Sequence, residues 1–588
     1  MSNNTISSME ALPVELLYRI FDNLDAQTIV FSVRPVCRFL RSVVKTYDRH
    51  ILDLKLISKL NFYALCRLIH PQNVISLVLL NDELTSNQID LFISLVRLRQ
   101  LTRLRSLTLL NIDELQLNVI LKRINLTVLT FFSCTIRKYD DRRRKTTNEL
   151  LASIIAQSSL EKIEFDIKSE RMLQISWPIN CTIQYLIING SITIDNLFTI
   201  LQCSPYLHTI ILKESCNKII NNITVPFSPP RYFRQLRSLT MEKLDVTIDK
   251  LESFLLLTPS LVYLKLIGEK NILDGKRWEQ FIEINLPHLD KFEFYFVECS
   301  SIKKTEADLE LIIASFRTPF WIEHKKWFVI CDCDMNFSNT IYLYSLPICK
   351  SFLIYKVKSQ KLSLSNYNTT RDNHRSIMSN VNSLQLFLEK PLPDHVQEKK
   401  TTATHPLFPN VTEIDLQFQN DWPLFSLQSF SMFIDTPRIV QMKLNTYYFK
   451  LYDQNLLMDI GIFIQQALNL SSLIIHAFFF RDKSTKIIEH IHSIIPNNVK
   501  HLQIPINNLD QIKTILERCQ NLSTIKFDIP YSKFSIKVIK WFADNTIDST
   551  CQKDYKTVGV WLGKKNIQPI EIELDNKRIK LHDNPSDS

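Results

Sequence analysis

The stretch Leu261-Val262-Tyr263-Leu264-Lys265-Leu266 carries the pattern that decides the fold. An apolar residue is followed three positions later by a second and two positions after that by a third. Successive side chains of a strand point to opposite faces, so the last two apolar residues predict a short strand with one buried face. We call the three positions the first, second and third core positions of a unit.

The same pattern recurs along most of the chain. The first core positions of fifteen units are Val74, Leu104, Leu126, Leu160, Ile183, Leu207, Leu236, Leu261, Leu289, Val381, Val411, Ile439, Leu470, Val499 and Leu522. Thirteen of the fourteen spacings lie between 22 and 34 residues, and amphipathic helical stretches, such as 248–255, lie between units. One strand and one helix cannot bury their apolar faces alone, so neighbouring units must stack. The pattern predicts an α/β solenoid with parallel strands on the concave side and helices on the convex side.

One interval, the 92 residues from Leu289 to Val381, breaks the rhythm. It contains two strand-like stretches, 326–331 and 340–344, and has room for one or two divergent units. The polar stretches 358–380 and 389–406 are expected to be loops or insertions. An array of separate α/β units remains an alternative to one solenoid.

Residues 12–24, which precede the strand–helix units, are predicted to form a helix. Pro13 suits a first helical turn because its fixed φ is already helical. Apolar residues then recur at helical spacing, at Leu16, Leu17, Ile20, Phe21 and Leu24. Asp25 can cap a second helix that ends near Pro35, and a third follows. Three helices in about 40 residues cannot bury all these side chains, so the surplus must contact the next domain or another protein.

The pattern Leu12-Pro13-x-Glu15-Leu16-x-x-x-Ile20-Phe21-x-x-Leu24-Asp25, followed by Val33-x-x-Val36-Cys37-Arg38-x-Leu40-Arg41, resembles the F-box family. In that family the segment docks onto the Skp-type adaptor of a cullin–RING ubiquitin ligase. The resemblance implies a contact formed by Leu12, Pro13, Glu15, Leu16, Ile20, Phe21, Leu24, Val36 and Cys37. Leu40 stands where the family often has Trp, and Arg34-Pro35 is less usual. The resemblance covers about 40 of 588 residues.

The later units resemble the leucine-rich repeats that commonly follow an F-box. That family often places Asn or Cys eight residues after the first core position. Here only Cys134 and Asn507 stand there, so the repeats are degenerate and the coil is expected to be irregular.

These patterns divide the chain into six parts. We expect the F-box at 8–54, the first part of a leucine-rich-repeat-like solenoid at 55–300, divergent repeats or an insertion at 301–380, the second part at 381–530, a C-terminal cap at 531–582 and a disordered tail at 583–588. A helix with Ile536, Ile539, Phe542 and Ala543 on one face is expected to cover the open end of the solenoid.

Composition and missing motifs argue against an enzyme. Six glycines in 588 residues disfavour a phosphate-binding loop. No nucleophile elbow or zinc-protease helix is present. Cys331-x-Cys333 and His490-x-His492 lack the further ligands that zinc requires. We therefore predict no catalytic residues, no cofactor and no metal. The sequence contains no run of 18 apolar residues, so it predicts no membrane span. The first residues lack the pattern of a secretory signal peptide. We therefore expect a cytoplasmic and/or nuclear location, where the cysteines are reduced.

The sequence favours a substrate-recognition adaptor of a Skp–cullin–F-box ubiquitin ligase, in which the repeats bind a protein target. One alternative is a protein-interaction scaffold outside any ligase. A weaker alternative is a nucleic-acid-binding protein that uses the basic cluster 137–145. The target is not named by any motif. Variable strand positions that could contribute to its surface are Lys265, Glu293, Asp415 and Lys443.

Overall fold

The computed structural model describes Met9 and residues 12–81, 84–85, 87–172, 174–214, 232–244, 247–269, 273–299, 304–334, 340–356, 361–367, 377–388, 406–418, 433–445, 454–476, 493–529, 532–554 and 556–565. The predicted loop at 389–406 lies almost wholly outside the described residues, and the predicted tail at 583–588 lies entirely outside them.

The chain begins with a helical unit, residues 12–47. Its helices are α1 (Val14–Phe21), α2 (Ala26–Thr28) with a π-helical continuation (Ile29–Val33), and α3 (Arg38–Thr46). Asp25 caps α2, because its Oδ1 accepts a hydrogen bond from the Thr28 N–H at 2.8 Å. Cys37 caps α3 in the same way through its Sγ, which accepts from the Leu40 N–H at 3.4 Å. The prediction of three short helices is confirmed.

Within the described ranges a first sheet of thirteen strands follows. Ten parallel strands stand in chain order: β1 (His50–Asp53), β2 (Val74–Leu80), β3 (Ser106–Asp113), β4 (Phe131–Lys138), β5 (Lys162–Asp166), β6 (Tyr185–Ile188), β7 (Thr209–Leu212), β8 (Ser238–Leu244), β9 (Tyr263–Glu269) and β10 (Lys291–Cys299). Three antiparallel strands complete it, in the spatial order β12 (Thr340–Ser345), β11 (Val329–Asp334) and β14 (Lys361–Ser365).

The part of the chain that the structure describes places nine strands in a second sheet. Its parallel part is β13 (Phe352–Lys356), β15 (Ser383–Leu388), β16 (Glu413–Phe418), β17 (Gln441–Asn445), β18 (Ser472–His476), β19 (His501–Pro505) and β20 (Thr524–Asp528). The antiparallel strands β23 (Thr557–Trp561) and β22 (Thr550–Lys553) end it, and β21 (Thr546–Ile547) pairs with β24 (Lys564–Lys565).

Helices between the strands cover one face of each sheet. They are α4 (Lys59–Leu68), α5 (Gln88–Leu95), α6 (Glu114–Leu121), α7 (Arg144–Ile155), α8 (Ser169–Met172), α9 (Ile194–Cys203), α10 (Ile248–Leu255), α11 (Gly275–Asn285), α12 (Glu306–Ala314), α13 (Gln454–Gln466), α14 (Asp510–Arg518) and α15 (Ser532–Asn545). The predicted fold class is confirmed: a helical unit precedes long, mostly parallel sheets of alternating strands and helices.

Neighbouring units pair in register through their second core positions. Leu264, for example, pairs with Leu239 on β8 and with Phe292 on β10. All three side chains are buried, and the first core is continuous from β1 to β12. Stacking therefore supplies the burial that a single unit lacks.

The predicted register of the third unit was wrong. Phe132 pairs with Leu107 and Ile163, so the core positions of this unit are Leu129, Phe132 and Cys134 rather than a set starting at Leu126. Two apolar patterns overlap here with an offset of three residues, and stacking against both neighbours selects the second. Cys134 is thus a third core position and not a backbone-bonding residue between turns.

Asn507, the other residue expected to bond adjacent turns, does not do so through its amide oxygen. Within the described parts of the chain, this buried Oδ1 has no hydrogen-bond partner. The ladder of bonded Asn or Cys side chains found in regular leucine-rich repeats is not formed at either predicted position.

The irregular interval between Leu289 and Val381 contains more β-strands than predicted. The stretches predicted as strands form β11 and β12, which pair antiparallel and interrupt the parallel order. β14 lies inside the stretch 358–380 that was expected to be a loop, because Leu362 and Leu364 pack against the first core.

The two sheets and their ends form a closed ring of contacts. Tyr295, Ile330 and Tyr344 of the first sheet are part of the core of the second sheet. At the other end, Trp561 of β23 packs in the core of the first sheet, against Phe62 of α4. The last unit therefore contacts the first one, and the solenoid has no open end there.

The C-terminal helix α15 presents a different face from the predicted one. Phe534, Val538 and Phe542 are its buried apolar residues, whereas Ile536 and Ala543 are exposed. The helix packs beside β23 and so supports the strand that meets the first unit. No helix among the described residues is long and apolar enough to cross a membrane.

Candidate functional site

The N-terminal helical unit has a small core of its own. Its buried side chains are Leu17, Phe21, Ile29, Leu40, Val43, Val44 and Tyr47. The Phe21 and Tyr47 rings meet edge to face with centroids 5.4 Å apart. The unit therefore forms a hydrophobic core with only some of its apolar side chains.

Three large apolar side chains of the unit remain in solvent. Leu16, Ile20 and Val36 are 43%, 37% and 70% exposed. Leu16 and Ile20 are four residues apart on α1 and share one helix face. Pro13 and Glu15 are exposed beside them. This surface is the surplus that the sequence predicted, and it is available to a partner.

The other residues of the predicted contact are less accessible. Leu12, Leu24 and Cys37 are half-buried, and Cys37 is engaged in capping α3. Phe21 is fully buried. Its side chain packs in the core of the helical unit, and its predicted part in the adaptor contact stays a prediction.

The helical unit packs against the first repeat. Ala26 and Val30 lie in the core of the first sheet. The Tyr47 hydroxyl donates to Asp22 Oδ1 at 2.9 Å, and Asp22 also pairs with Arg49 at 3.3 Å. Burial, followed by the hydrogen bond to Asp22, raises the pKa of Tyr47. The burial of Ala26 and Val30 orients the exposed surface relative to the repeats, whereas the bond between Tyr47 and Asp22 lies within the helical unit.

His50 lies at the same junction. Its ring meets the Tyr47 ring edge to face at 4.9 Å and is almost wholly buried. Burial lowers the pKa of His50 to about 4, although nearby Asp48 acts in the opposite direction. Asp48 also forms an ion pair with Arg103, a residue that precedes β3. The pairs Asp22–Tyr47 and Asp48–Arg103 were not singled out from the sequence, because their partners are 25 and 55 positions apart in the chain.

The four variable strand positions named as candidate target contacts lie on the sheet faces opposite the helices. Lys265 is in register with Glu293, and Asp415 is in register with Lys443. Lys443 Nζ is 3.4 Å from Asp415 Oδ2, and Glu293 Oε2 accepts from the Tyr263 hydroxyl at 2.6 Å. These charges compensate one another within the chain, so no single sign dominates here.

The basic cluster 137–145 is accompanied by acidic groups. Asp140 pairs with both Arg142 and Arg143 at 3.3 Å. Asp141 pairs with Arg171 at 3.0 Å. Such local compensation weakens the field that a nucleic acid would need.

Of the two candidate metal-binding pairs in the sequence, the structure describes only Cys331 and Cys333. Cys331 and Cys333 are both buried in the first core, and burial raises the pKa of Cys331 to about 12. The described residues contain no group of three or more His, Cys, Asp or Glu placed to hold a metal ion. His490 and His492 lie outside the described residues.

The comparison with protein families concerns the helical unit and its exposed surface. Residues 9–52 match the F-box domain. The match spans the three helices of the F-box and ends within β1, so it does not extend into the strand–helix units. A comparison of the whole chain with curated proteins finds no match.

Proposed function

We propose that this chain is a substrate-recognition subunit of a Skp–cullin–F-box ubiquitin ligase. Its F-box would bind the Skp-type adaptor and through it a cullin. The ring of repeats would hold a protein target for ubiquitin transfer. The chain itself supplies positioning and no catalytic group, and it would work in the cytoplasm, the nucleus or both.

One observation carries the proposal: the F-box core is complete without Leu16, Ile20 and Val36, yet these large apolar side chains are exposed. Exposed apolar residues on a folded unit are typical of a surface that another protein covers. The surface lies on a domain that binds a Skp-type adaptor in the family that it matches. Of the predicted contacts, Leu12, Pro13, Glu15, Leu24 and Cys37 would form its rim.

The repeats support the second half of the proposal. They are degenerate leucine-rich-repeat-like units, and the sheet faces opposite their helices offer an extended surface with mixed charges. Extended surfaces of this type in solenoids serve protein recognition. The ion-paired arginines beside Asp140 make nucleic acid a poorer candidate.

The adaptor contact is tested with the double variant Leu16→Asp, Ile20→Asp in the full chain. An apolar hot-spot residue contributes about 2 kcal/mol, so Kd for a purified Skp-type adaptor should rise at least about thirty-fold. The control is Ile284→Asp, Leu311→Asp, two apolar helix residues outside the F-box that are more exposed than Leu16 and Ile20. Unchanged adaptor binding by the first variant would reject the proposed contact.

A second measurement separates a ligase subunit from a scaffold outside any ligase. Wild-type chain expressed in cells should co-purify with a cullin as well as the adaptor, and the Leu16→Asp, Ile20→Asp variant should lose both. Adaptor without cullin would favour the scaffold alternative.

A further inference from the structure

A cavity of about 380 Å³ lies where the first sheet meets the second, away from the F-box. Tyr295 and Tyr344 line it from the first sheet, and Lys350, Phe352 and Ile354 line it from the segment around β13. The tyrosines stand on the sheet face opposite the helices, since they alternate with core positions on their strands. The fold and the F-box contact leave this cavity without a role.

The two carboxylates of the cavity are not available to a ligand. Asp332 and Asp334 are each only 3% exposed. Asp332 accepts hydrogen bonds from the Ser363 hydroxyl at 2.6 Å and from the Tyr344 hydroxyl at 3.1 Å. Asp334 lies 4.0 Å from Lys356 Nζ. Both carboxylates are buried and interact with side chains of the chain itself, so the cavity does not favour a cationic ligand.

Lys350 is in the opposite situation. Its ammonium lies 4.3 Å from the centroid of the Tyr295 ring and is half-buried. Among the described residues no carboxylate forms an ion pair with it. Burial lowers its pKa, although the carboxylates of Glu242 and Glu269 act in the opposite direction. A partly desolvated cation gains from a carboxylate brought by a ligand.

A second lysine shows what a compensated site of this type looks like. Lys291 lies over the Tyr263 ring at 5.3 Å, and it pairs with Glu293 at 2.6 Å. Lys350 also lies over a tyrosine ring, but within the described ranges it has no ion-pair partner that corresponds to Glu293.

Apolar side chains and an outer strand edge of the second sheet lie beside Lys350. Phe352 and Ile354 alternate on β13 and are 45% and 52% exposed. β13 pairs with β15 on one side, and no described strand pairs with its other edge. An extended peptide that adds to such an edge places alternate side chains on one face.

We propose that this junction binds an extended segment of a partner protein in which an Asp or Glu is flanked by large apolar side chains. The carboxylate pairs with Lys350, and the apolar side chains cover Phe352 and Ile354 along the outer edge of β13. As the place where the target is held, this inference rests on the proposed function; the binding itself does not require the F-box.

The test begins with a random twelve-residue peptide display library selected on the purified full chain. Enriched peptides are expected to share one carboxylate at a constant spacing from aromatic or aliphatic residues. For a synthetic peptide with the enriched sequence, Lys350→Met should raise Kd at least ten-fold. Replacing its carboxylate by the amide should do the same, and the two changes together should add little more. Lys291→Met, the matched lysine over a tyrosine, should leave Kd unchanged.

Other occupants give other results. Peptides rich in Lys or Arg, or peptides that bind the Lys350→Met variant as tightly as wild type, would overturn the proposal. Concentration-dependent self-association that Lys350→Met abolishes would show a second copy of the chain as the occupant and would also overturn it. Phe352→Ser, Ile354→Ser provides an independent variant if Lys350→Met fails to fold, and it should weaken the same peptide.

The two proposals fail separately. Lys350→Met should leave the affinity for the Skp-type adaptor unchanged, and Leu16→Asp, Ile20→Asp should leave peptide affinity unchanged. Loss of the ligase role with intact peptide binding would reject the former proposal alone. Intact adaptor and cullin binding without carboxylate-dependent peptide binding would reject the latter alone.

Discussion

The indole Nε1 of Trp561 donates a hydrogen bond to the carbonyl oxygen of Ile57 at 2.7 Å, across 504 positions of the chain. Beside it, the Lys59 ammonium donates to Thr550 Oγ1 at 2.8 Å and to the backbone oxygen of Asp548. The Phe62 ring meets the Trp561 ring edge to face at 5.4 Å. These contacts bond the last unit to the first.

Opening this closure should loosen both ends together. Trp561→Phe removes the donor and leaves the buried Ile57 carbonyl unpaired, which should cost about 1–3 kcal/mol. Trp561→Ala should cost about 3–5 kcal/mol through the added cavity. Hydrogen exchange should show reduced protection in α4 and in β22 at once. Protection lost only near the C-terminus would mean that the ends are not coupled.

The F-box surface and the F-box core should respond differently to alanine. Phe21→Ala leaves a cavity beside Tyr47 and should lower the free energy of unfolding of the F-box by about 3–5 kcal/mol. Ile20→Ala, one residue earlier and exposed, should change it by less than about 0.5 kcal/mol. Hydrogen exchange over residues 14–46 measures both. A similar loss in the two variants would contradict the assignment of Ile20 to the surface.

Acid should destabilise the junction between the F-box and the repeats. Because burial lowers the pKa of His50 from 6.5 to about 4, the folded state binds the His50 proton only at a lower pH than the unfolded state does. The associated stability is fully present above pH 6.5, and it falls as the pH drops toward 4. The loss by pH 4 should be about 3 kcal/mol.

The variant His50→Leu removes that titration. The opening free energy of residues 12–47, measured by hydrogen exchange, should then depend less on pH than in wild type. His501→Leu is the matched control, since burial also lowers the pKa of His501 to about 4, but in the second sheet. It should leave the acid response of the F-box unchanged. An equal effect of both variants on the F-box would contradict the prediction.

The scarce glycines provide a further pair of variants. A Cβ on Gly268 would lie 2.5 Å from both the backbone oxygen and the Cβ of Leu244, where neither atom can move freely. Gly268→Ala should therefore cost about 1–3 kcal/mol. The three atoms nearest to a Cβ on Gly461 all belong to the Ile494 side chain, and the closest lies at 2.9 Å. Because alanine favours a helix by about 1 kcal/mol, Gly461→Ala should be close to neutral. Thermal unfolding compares them.

The periodic part of the fold was predictable because each unit repeats one physical requirement. The strand of Leu264 and Leu266 must bury one face, and its stack with neighbouring strands follows from that. The register of the third unit could not be chosen from Leu126 to Cys134 alone, since both patterns satisfy the local rule. Only pairing with Leu107 and Ile163 distinguishes them.

The candidate sites were predictable to different depths. The helical periodicity of α1 indicated surplus apolar residues, but it did not separate exposed Ile20 from buried Phe21. That distinction depends on Tyr47, which packs on Phe21 from the end of α3. The cavity at Lys350 depends on a contact between two sheets, and no local pattern records it. The sequences of β11 and β12 likewise do not indicate that these strands pair antiparallel.

The contact between Trp561 and Ile57 has a consequence for how such a chain can change. An open solenoid can gain or lose one unit at little cost, because its ends contact nothing. Here an inserted or deleted strand and helix would alter the curvature and carry Trp561 away from its acceptor. The number of units is therefore set by closure of the ring, and variation in length should be confined to the connections between strands and helices.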